Sequence, residues 1–190
     1  LRVLPRWRVG VSLAAPFLLF AGYFAFASAE AWAAAVGCVV ALSFVSYGSV
    51  SHDLVHRSLG LSGRWNDAFL TAIELLMLRS GRAYRLVHLN HHARFPHDDD
   101  PEGAAAYGSA LASLLSGPTY FARLWWWTVR THPGHRPRLF AEVAGILSCA
   151  AAAVAVAPVT VIPLVYVGLA YAGTWVVPFA TSYVPHTPGL

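Results

Sequence analysis

Charged side chains are scarce in this chain: they make up 12% of its 190 residues, against 57% hydrophobic. A water-soluble domain does not have that balance, and the mean hydropathy of +0.53 places the chain in a bilayer. Lysine is missing altogether. All thirteen basic residues are arginine, and each lies within residues 1–8 or 57–138. A nucleic-acid binder would need a basic face with exposed aromatics on a soluble domain, which this distribution does not supply. Cysteine is limited to Cys38 and Cys149, both inside apolar runs, where a thiol behaves as a small apolar side chain. With no C-x-x-C pair there is no thiolate set for structural zinc or an iron–sulfur cluster. Carboxylates and histidines are also missing from the interiors of the apolar runs, apart from Glu142 near one end. A transporter needs polar groups along a path across the bilayer, and that path is not there. No internal repeat or low-complexity tail is legible, and the first apolar run is of membrane length, so it reads as a span and not as a cleavable signal.

What the chain does have is four long apolar runs, at approximately Val9 to Ala29, Ala31 to Val50, Leu139 to Ala157 and Val159 to Thr181. At about 1.5 Å per helical residue each can cross roughly 30 Å of hydrocarbon. The first two are parted only around Glu30 and the last two only around Pro158, which predicts two tight helical hairpins. The expected fold is therefore an all-α integral membrane protein, a single domain over residues 1–190, with four transmembrane helices in two hairpins. Because neither short turn carries an arginine, the positive-inside rule puts both termini and the central region in the cytoplasm. That region is too apolar for a linker. Asn66 to Leu78, with Asn66 as its N-cap and Phe69, Ile73, Leu76 and Met77 at helical spacing, predicts an amphipathic helix lying flat on the membrane. Tyr107 to Thr128 predicts a second, broken at Gly117–Pro118 and anchored at the interface by Trp125, Trp126 and Trp127.

Over these elements lies a histidine-rich cap. His52 and His56 occur in SHDLVH, and His88, His91 and His92 in HLNHH. Imidazoles at i and i+4, or i and i+3, of a helix leave from one face, so each group offers several nitrogens to one point. His186, in SYVPHTP, brings another imidazole to the same level at the end of the fourth run. Ionisable groups at that depth are costly unless paired or metal-bound. His97, His132 and His135 sit in polar, turn-rich sequence and are expected to be solvated. Six well-placed imidazoles exceed what one ion needs, which argues for two metals, and for iron where oxygen is to be split. A non-catalytic membrane metal-binding protein is the alternative from another class; a bis-histidine haem would want its ligands in facing spans.

HDLVH at the end of a span, then HLNHH, then DDDP, resembles the membrane fatty acid desaturase superfamily, over residues 50–103 and again 170–189. HDLVHRSLGLSGRWNDAF is similar to the carotenoid ketolase branch of that superfamily. The resemblance implies that His52, His56, His88, His91, His92 and His186 ligate two iron ions, with Asp53 and one or more of Asp98, Asp99 and Asp100 orienting imidazoles through their other ring nitrogen. It implies O2 as co-substrate, an external electron donor of the ferredoxin kind, and a lipid substrate drawn from the bilayer. Desaturation of acyl chains is the first expectation, and ketolation or hydroxylation of a carotenoid at the same histidines the second. A bacterial inner membrane, with the histidines on the cytoplasmic side, is the expected location. The superfamily also carries a further H-x-x-H-H box downstream of the segment matching His186, so this sequence, which starts at Leu1, is expected to be a fragment truncated at both ends.

Overall fold

The computed structural model describes residues 5–97 and 99–186, and every regular element among them is helical. Helix α1 spans Arg6–Ser28. Glu30, in the left-handed region at φ 59°, turns the chain back into α2, Trp32–Val45. A π-helical turn, Ser46–Val50, carries α2 directly into α3, Ser51–Val55. Then come α4, Gly63–Leu76, α5, Gly81–Arg94, and α6, Ala110–Thr131. Helix α7, Arg136–Val156, turns into α8, Ile162–Gly173. From there one 3-10 turn and a second π-helical turn, Phe179–Tyr183, lead to α9, Val184–His186.

Four of the resulting rods are long and apolar enough to cross a membrane: Arg6–Ser28, Trp32–Val55, Pro133–Val156 and Ile162–His186. Their outer faces carry Leu18, Phe44, Leu147 and Val176, exposed apolar side chains that hydrocarbon accepts and water would not. The second and fourth rods run past the apolar sequence to Val55 and His186, so His52 and His186 sit on continuous helix and His56 caps the second rod.

Three clusters hold the helices together, the smallest of them Ala83, Val129 and Leu139. At the histidine end Leu13, Tyr47, Leu54, Ile73, Val87 and Tyr120 belong to one. Toward the Glu30 turn the second contains Tyr23, Ala27, Ala35, Met77, Tyr166 and Ala170. Its alanines let backbones approach closely, which is how helices associate where lipid removes the usual hydrophobic drive.

Helix α4 does not lie flat across the ends of the spans. Ser62, not Asn66, occupies its N-cap position, and the buried Asn66 amide donates to the Leu54 carbonyl at the histidine end. Its other end is deep: the Tyr166 hydroxyl donates to the Leu76 carbonyl, and Met77 joins the second cluster. Tyr166 precedes His186 by about 30 Å of helix at 1.5 Å per residue. An apolar stripe of Phe69, Ile73 and Leu76 fits a protein interior as well as a lipid surface, which is why periodicity alone misplaced this helix. Glu74, 0% exposed, is paired with Arg79, 2% exposed, at 2.8 Å, and the Arg79 guanidinium also donates to Ser46 Oγ and lies over the Tyr47 ring. The turn into α5 requires a glycine: a Cβ on Gly81 would come within 2.9 Å of the Leu70 carbonyl oxygen and Thr71 Cα. Asp67 faces Arg82 at 3.3 Å and Arg138 at 3.6 Å, and Glu142 accepts from Thr71, Ser80 and Arg138, so polar pairs tie α4, α5 and α7 together.

Helix α6 runs unbroken through Gly117–Pro118. The absence of a side chain at Gly117 is what lets α6 approach the fourth span, because a Cβ there would collide with the Trp175 backbone, and the Pro118 carbonyl accepts from the Tyr171 hydroxyl. The three tryptophans do not form one anchor. Successive helical residues point about 100° apart, so Trp125 turns to the Leu139 carbonyl, Trp127 packs on the first cluster and Trp126 alone is exposed.

Candidate metal centre

Four imidazoles from two elements meet at the end of the second span. His52 is one turn before His56, and His88 is one turn before His92 on α5; ring centroids are 4.6 Å apart for His52 and His56, 4.7 Å for His56 and His92, and 5.1 Å for His52 and His88. One nitrogen from each of the four can be chosen so that all lie within 4.8 Å of one another. His88 Nε2 and His92 Nε2 are 3.1 Å apart. Two nitrogens bound to one ion at about 2.1 Å and near a right angle to each other would lie about 3 Å apart, so this donor set fits a metal ion. Its chemistry, all imidazole with no thiolate, suits iron, zinc, copper or nickel.

What aims His88 is a carboxylate that the sequence reading did not include. The buried Glu102 accepts at Oε1 from His88 Nδ1 and from the Tyr47 hydroxyl, both at 3.0 Å. With Nδ1 carrying the proton, Nε2 is left to a metal, the arrangement that metal-bound histidines generally show. Tyr47 is itself fixed: Tyr84 stacks on it at 4.4 Å and donates to its carbonyl at 3.1 Å. The Glu102 carbonyl in turn accepts from Ser182 Oγ at 2.7 Å, which ties the loop to the fourth span. The only sequence signal for Glu102 was its place just after the acidic run, two residues beyond Asp100.

His91 turns away from the other four toward a second group. Its Nδ1 donates to Asp100 Oδ2 at 2.6 Å, and its ring is 5.3 Å from that of His186. His186 donates from Nδ1 to the Ser182 carbonyl at 2.7 Å, and Phe95 packs on its ring at 4.2 Å. Among the described residues neither Nε2 has a hydrogen-bond partner. Asp100 is held in place by the Glu102 amide, which donates to Oδ1 at 3.1 Å.

The other aspartates are placed differently. Asp53 stays beside His52, with 4.0 Å between Oδ1 and Nδ1, and Asp99 is exposed and faces Arg94 at 3.5 Å. Asp98 lies outside the described residues. His97 is exposed, and His132 lies between Trp127 and His135, away from the centre.

Electrostatics separate the two groups. Partial burial, followed by the neighbouring imidazoles, lowers the pKa of His56 and of His92 below the ordinary histidine value. The hydrogen bond to Asp100 raises that of His91, while Asp100 itself is lowered, its bond to His91 and the backbone amides outweighing its burial.

Neither the curated proteins nor the solved structures contain a match to this chain. The model of the fatty acid desaturase family matches residues 30–188, a stretch that begins at the Glu30 turn and takes in every histidine described above. The chain belongs to the fatty acid desaturase family.

Proposed function

We propose that the protein is a membrane oxidoreductase whose histidines hold two non-haem irons and which uses O2 to introduce double bonds into lipid acyl chains, with electrons from an external carrier of the ferredoxin kind. The observation that carries this reading is the convergence of His52, His56, His88 and His92 on one point at the end of a membrane-crossing rod. His91 and His186, each with Nδ1 engaged and Nε2 without a hydrogen-bond partner among the described residues, are the start of a second ion's ligand set. When bound, the two irons supply the electrons and oxygen chemistry that cleavage of an unactivated C–H bond requires. The protein's own part is positioning. Glu102 and Asp100 fix the orientation of His88 and His91, Tyr47 and Ser182 hold the loop that carries both carboxylates, and the apolar rods bring a lipid substrate to the level of the site. The arginine distribution favours a cytoplasmic histidine end, with the spans in a bacterial inner membrane.

One observation favours a second reading. The residues that follow His56, RSLGLSGRWNDAF, resemble the carotenoid ketolase branch, and ketolation or hydroxylation would use the same histidines. Expression of the gene in a host that makes both lipid classes tests the two together. Two irons per chain, oxygen consumption with a reduced donor and new double bonds in membrane lipids are the expected results. Unchanged acyl chains with altered pigments would select the carotenoid reaction. Zinc alone with no oxygen consumption would sink both and leave a non-catalytic metal binder.

A further inference from the structure

Away from the histidines, charge is concentrated where α4, α5 and α7 meet. Four guanidiniums surround one carboxylate: Asp67 Oδ2 has Arg82 at 3.3 Å and Arg138 at 3.6 Å, and Oδ1 has Arg85 at 3.7 Å and Arg57 at 3.9 Å. Glu142 is the second carboxylate of the group, accepting from Arg138 Nε at 3.2 Å and from the Arg82 backbone amide at 3.0 Å. Four cations against two anions leave two positive charges in excess.

That excess is not dispersed in water. The side chains of Arg85 and Arg82 are 12% and 16% exposed, and Arg82 Nε is buried with no acceptor among the described residues. Burial, and after it a neighbouring guanidinium, Arg138 for Arg82 and Arg57 for Arg85, lowers the pKa of both below the ordinary arginine value. Arginine stays charged all the same. Like charges gathered at such depth cost free energy that a bound anion offsets. The open side of the group is Arg57, whose side chain is 52% exposed and stands beyond hydrogen-bonding distance of Asp67.

The height of the cluster identifies the anion. Arg57 comes two residues after the end of the second rod, and Arg138 lies in the first turns of the third, so the group sits where spans leave the hydrocarbon. Lipid phosphates lie at that level, and basic pockets between spans hold anionic headgroups. Trp65 and Phe140, at the same height on α4 and α7, point outward with 62% and 51% of their surface exposed, as side chains do in the headgroup zone. A guanidinium fork also matches phosphate oxygens two at a time.

We propose that Arg57, Arg82, Arg85 and Arg138 form a headgroup site for one resident anionic phospholipid, whose phosphate takes the two guanidiniums that Asp67 holds most loosely, those of Arg57 and Arg85. The lipid is recognised by its charge and not by its chains, and its binding requires neither the metal nor the reaction.

The test uses the full chain in a neutral detergent, with dioleoylphosphatidylglycerol or dioleoylphosphatidylcholine added and bound lipid counted by native mass spectrometry. One phosphatidylglycerol per chain, held at least about tenfold more tightly than phosphatidylcholine, is the expected result. The double variant Arg57→Gln with Arg85→Gln is expected to lose about 10–30-fold in that affinity. Arg130→Gln, exposed at the end of α6, is expected to keep it. Arg57→Gln alone alters only the exposed member of the group, and its intermediate loss supports the site even if the double variant does not fold. Equal retention of the two lipids overturns the proposal, and so does an equal loss in Arg130→Gln and the double variant, which would mean diffuse charge. Displacement of phosphatidylglycerol by an equimolar amount of inorganic phosphate would assign the cluster to a free anion. An acidic ferredoxin whose binding is lost in the double variant while phosphatidylglycerol stays would assign it to a protein. Either result overturns the lipid reading. Selective retention by a chain that binds no iron supports the site and counts only against the desaturase reading.

Discussion

Glu102 and Asp100 are two residues apart in one loop and take the Nδ1 protons of His88 and His91, three residues apart on α5. The match of spacings lets one short segment orient a histidine in each group. Glu102→Gln keeps the shape and an acceptor oxygen but removes the charge that strengthens the bond. Metal affinity at the four-histidine point is expected to fall about 10–100-fold, the usual effect of removing such a partner. A competition titration against a chromophoric chelator measures it, and unchanged affinity would show that Glu102 does not orient His88. Asp100→Asn is expected to spare that point and weaken binding of the second ion proposed at His91. The pH dependence follows from the same geometry. A metal must displace protons from imidazole, and His56 and His92 hold theirs less tightly than the ordinary value of 6.5, whereas His91 holds its own more tightly. If two ions bind as proposed, the one held through His91 is therefore expected to be released first on acidification, and the four-histidine ion only at lower pH. Release in one step, or in the opposite order, contradicts the assignment. The histidines themselves were legible because helical spacing puts i and i+4 on one face. Glu102 was not, because its role depends on how the loop after Arg94 folds back against α5.

At the level of elements, apolar length located the spans, and what it could not show was how helices without spanning length are placed among them. The depth of α4 is set by Glu74, Arg79 and the Leu76 carbonyl, three polar features that a hydropathy reading counts against burial. They tolerate burial because each has a partner. Glu74→Ala leaves the Arg79 guanidinium with Ser46 and aromatic rings but no counter-charge, and is expected to cost about 3–5 kcal/mol. Replacing both members, as Glu74→Leu with Arg79→Met, is expected to cost far less, because no unpaired charge remains. Thermal unfolding of the two variants in detergent decides the point, and a double variant as unstable as the single one would mean the pair does more than neutralise itself. The contact between α6 and the fourth span is as specific. Gly117→Ala puts a methyl group into the Trp175 backbone, and is expected to lose about 1–3 kcal/mol or more, as overpacking does. An unaltered melting point would show that α6 can move away freely.

The two larger clusters of the molecule have different functions. The one toward the Glu30 turn is closed by side chains alone: Tyr23, Ala27, Ala35, Met77 and Tyr166 fill it, and the Tyr23 and Tyr166 hydroxyls are both spent on carbonyls. The histidine end is finished differently. There the second span, α5 and the fourth span present nitrogens, the loop after α5 presents carboxylates to them, and His56 and His92 remain exposed. Metal bound there would cross-link these elements at the one level where side-chain packing does not complete them. Binding to the folded state alone stabilises it by about 2.7 kcal/mol at a free metal concentration a hundred times Kd. That stabilisation belongs to the end where the ligands are, since the other cluster contains none. Stripping metal from the loaded protein is therefore expected to raise amide hydrogen exchange over residues 51–57, 86–94 and 182–186, while residues 23–39 and 166–170 keep their protection. Exchange by mass spectrometry, with and without chelator, resolves these segments. A uniform rise along all four spans would mean that the metal supports the whole bundle, and that the turn-side cluster is not the independent anchor its packing makes it.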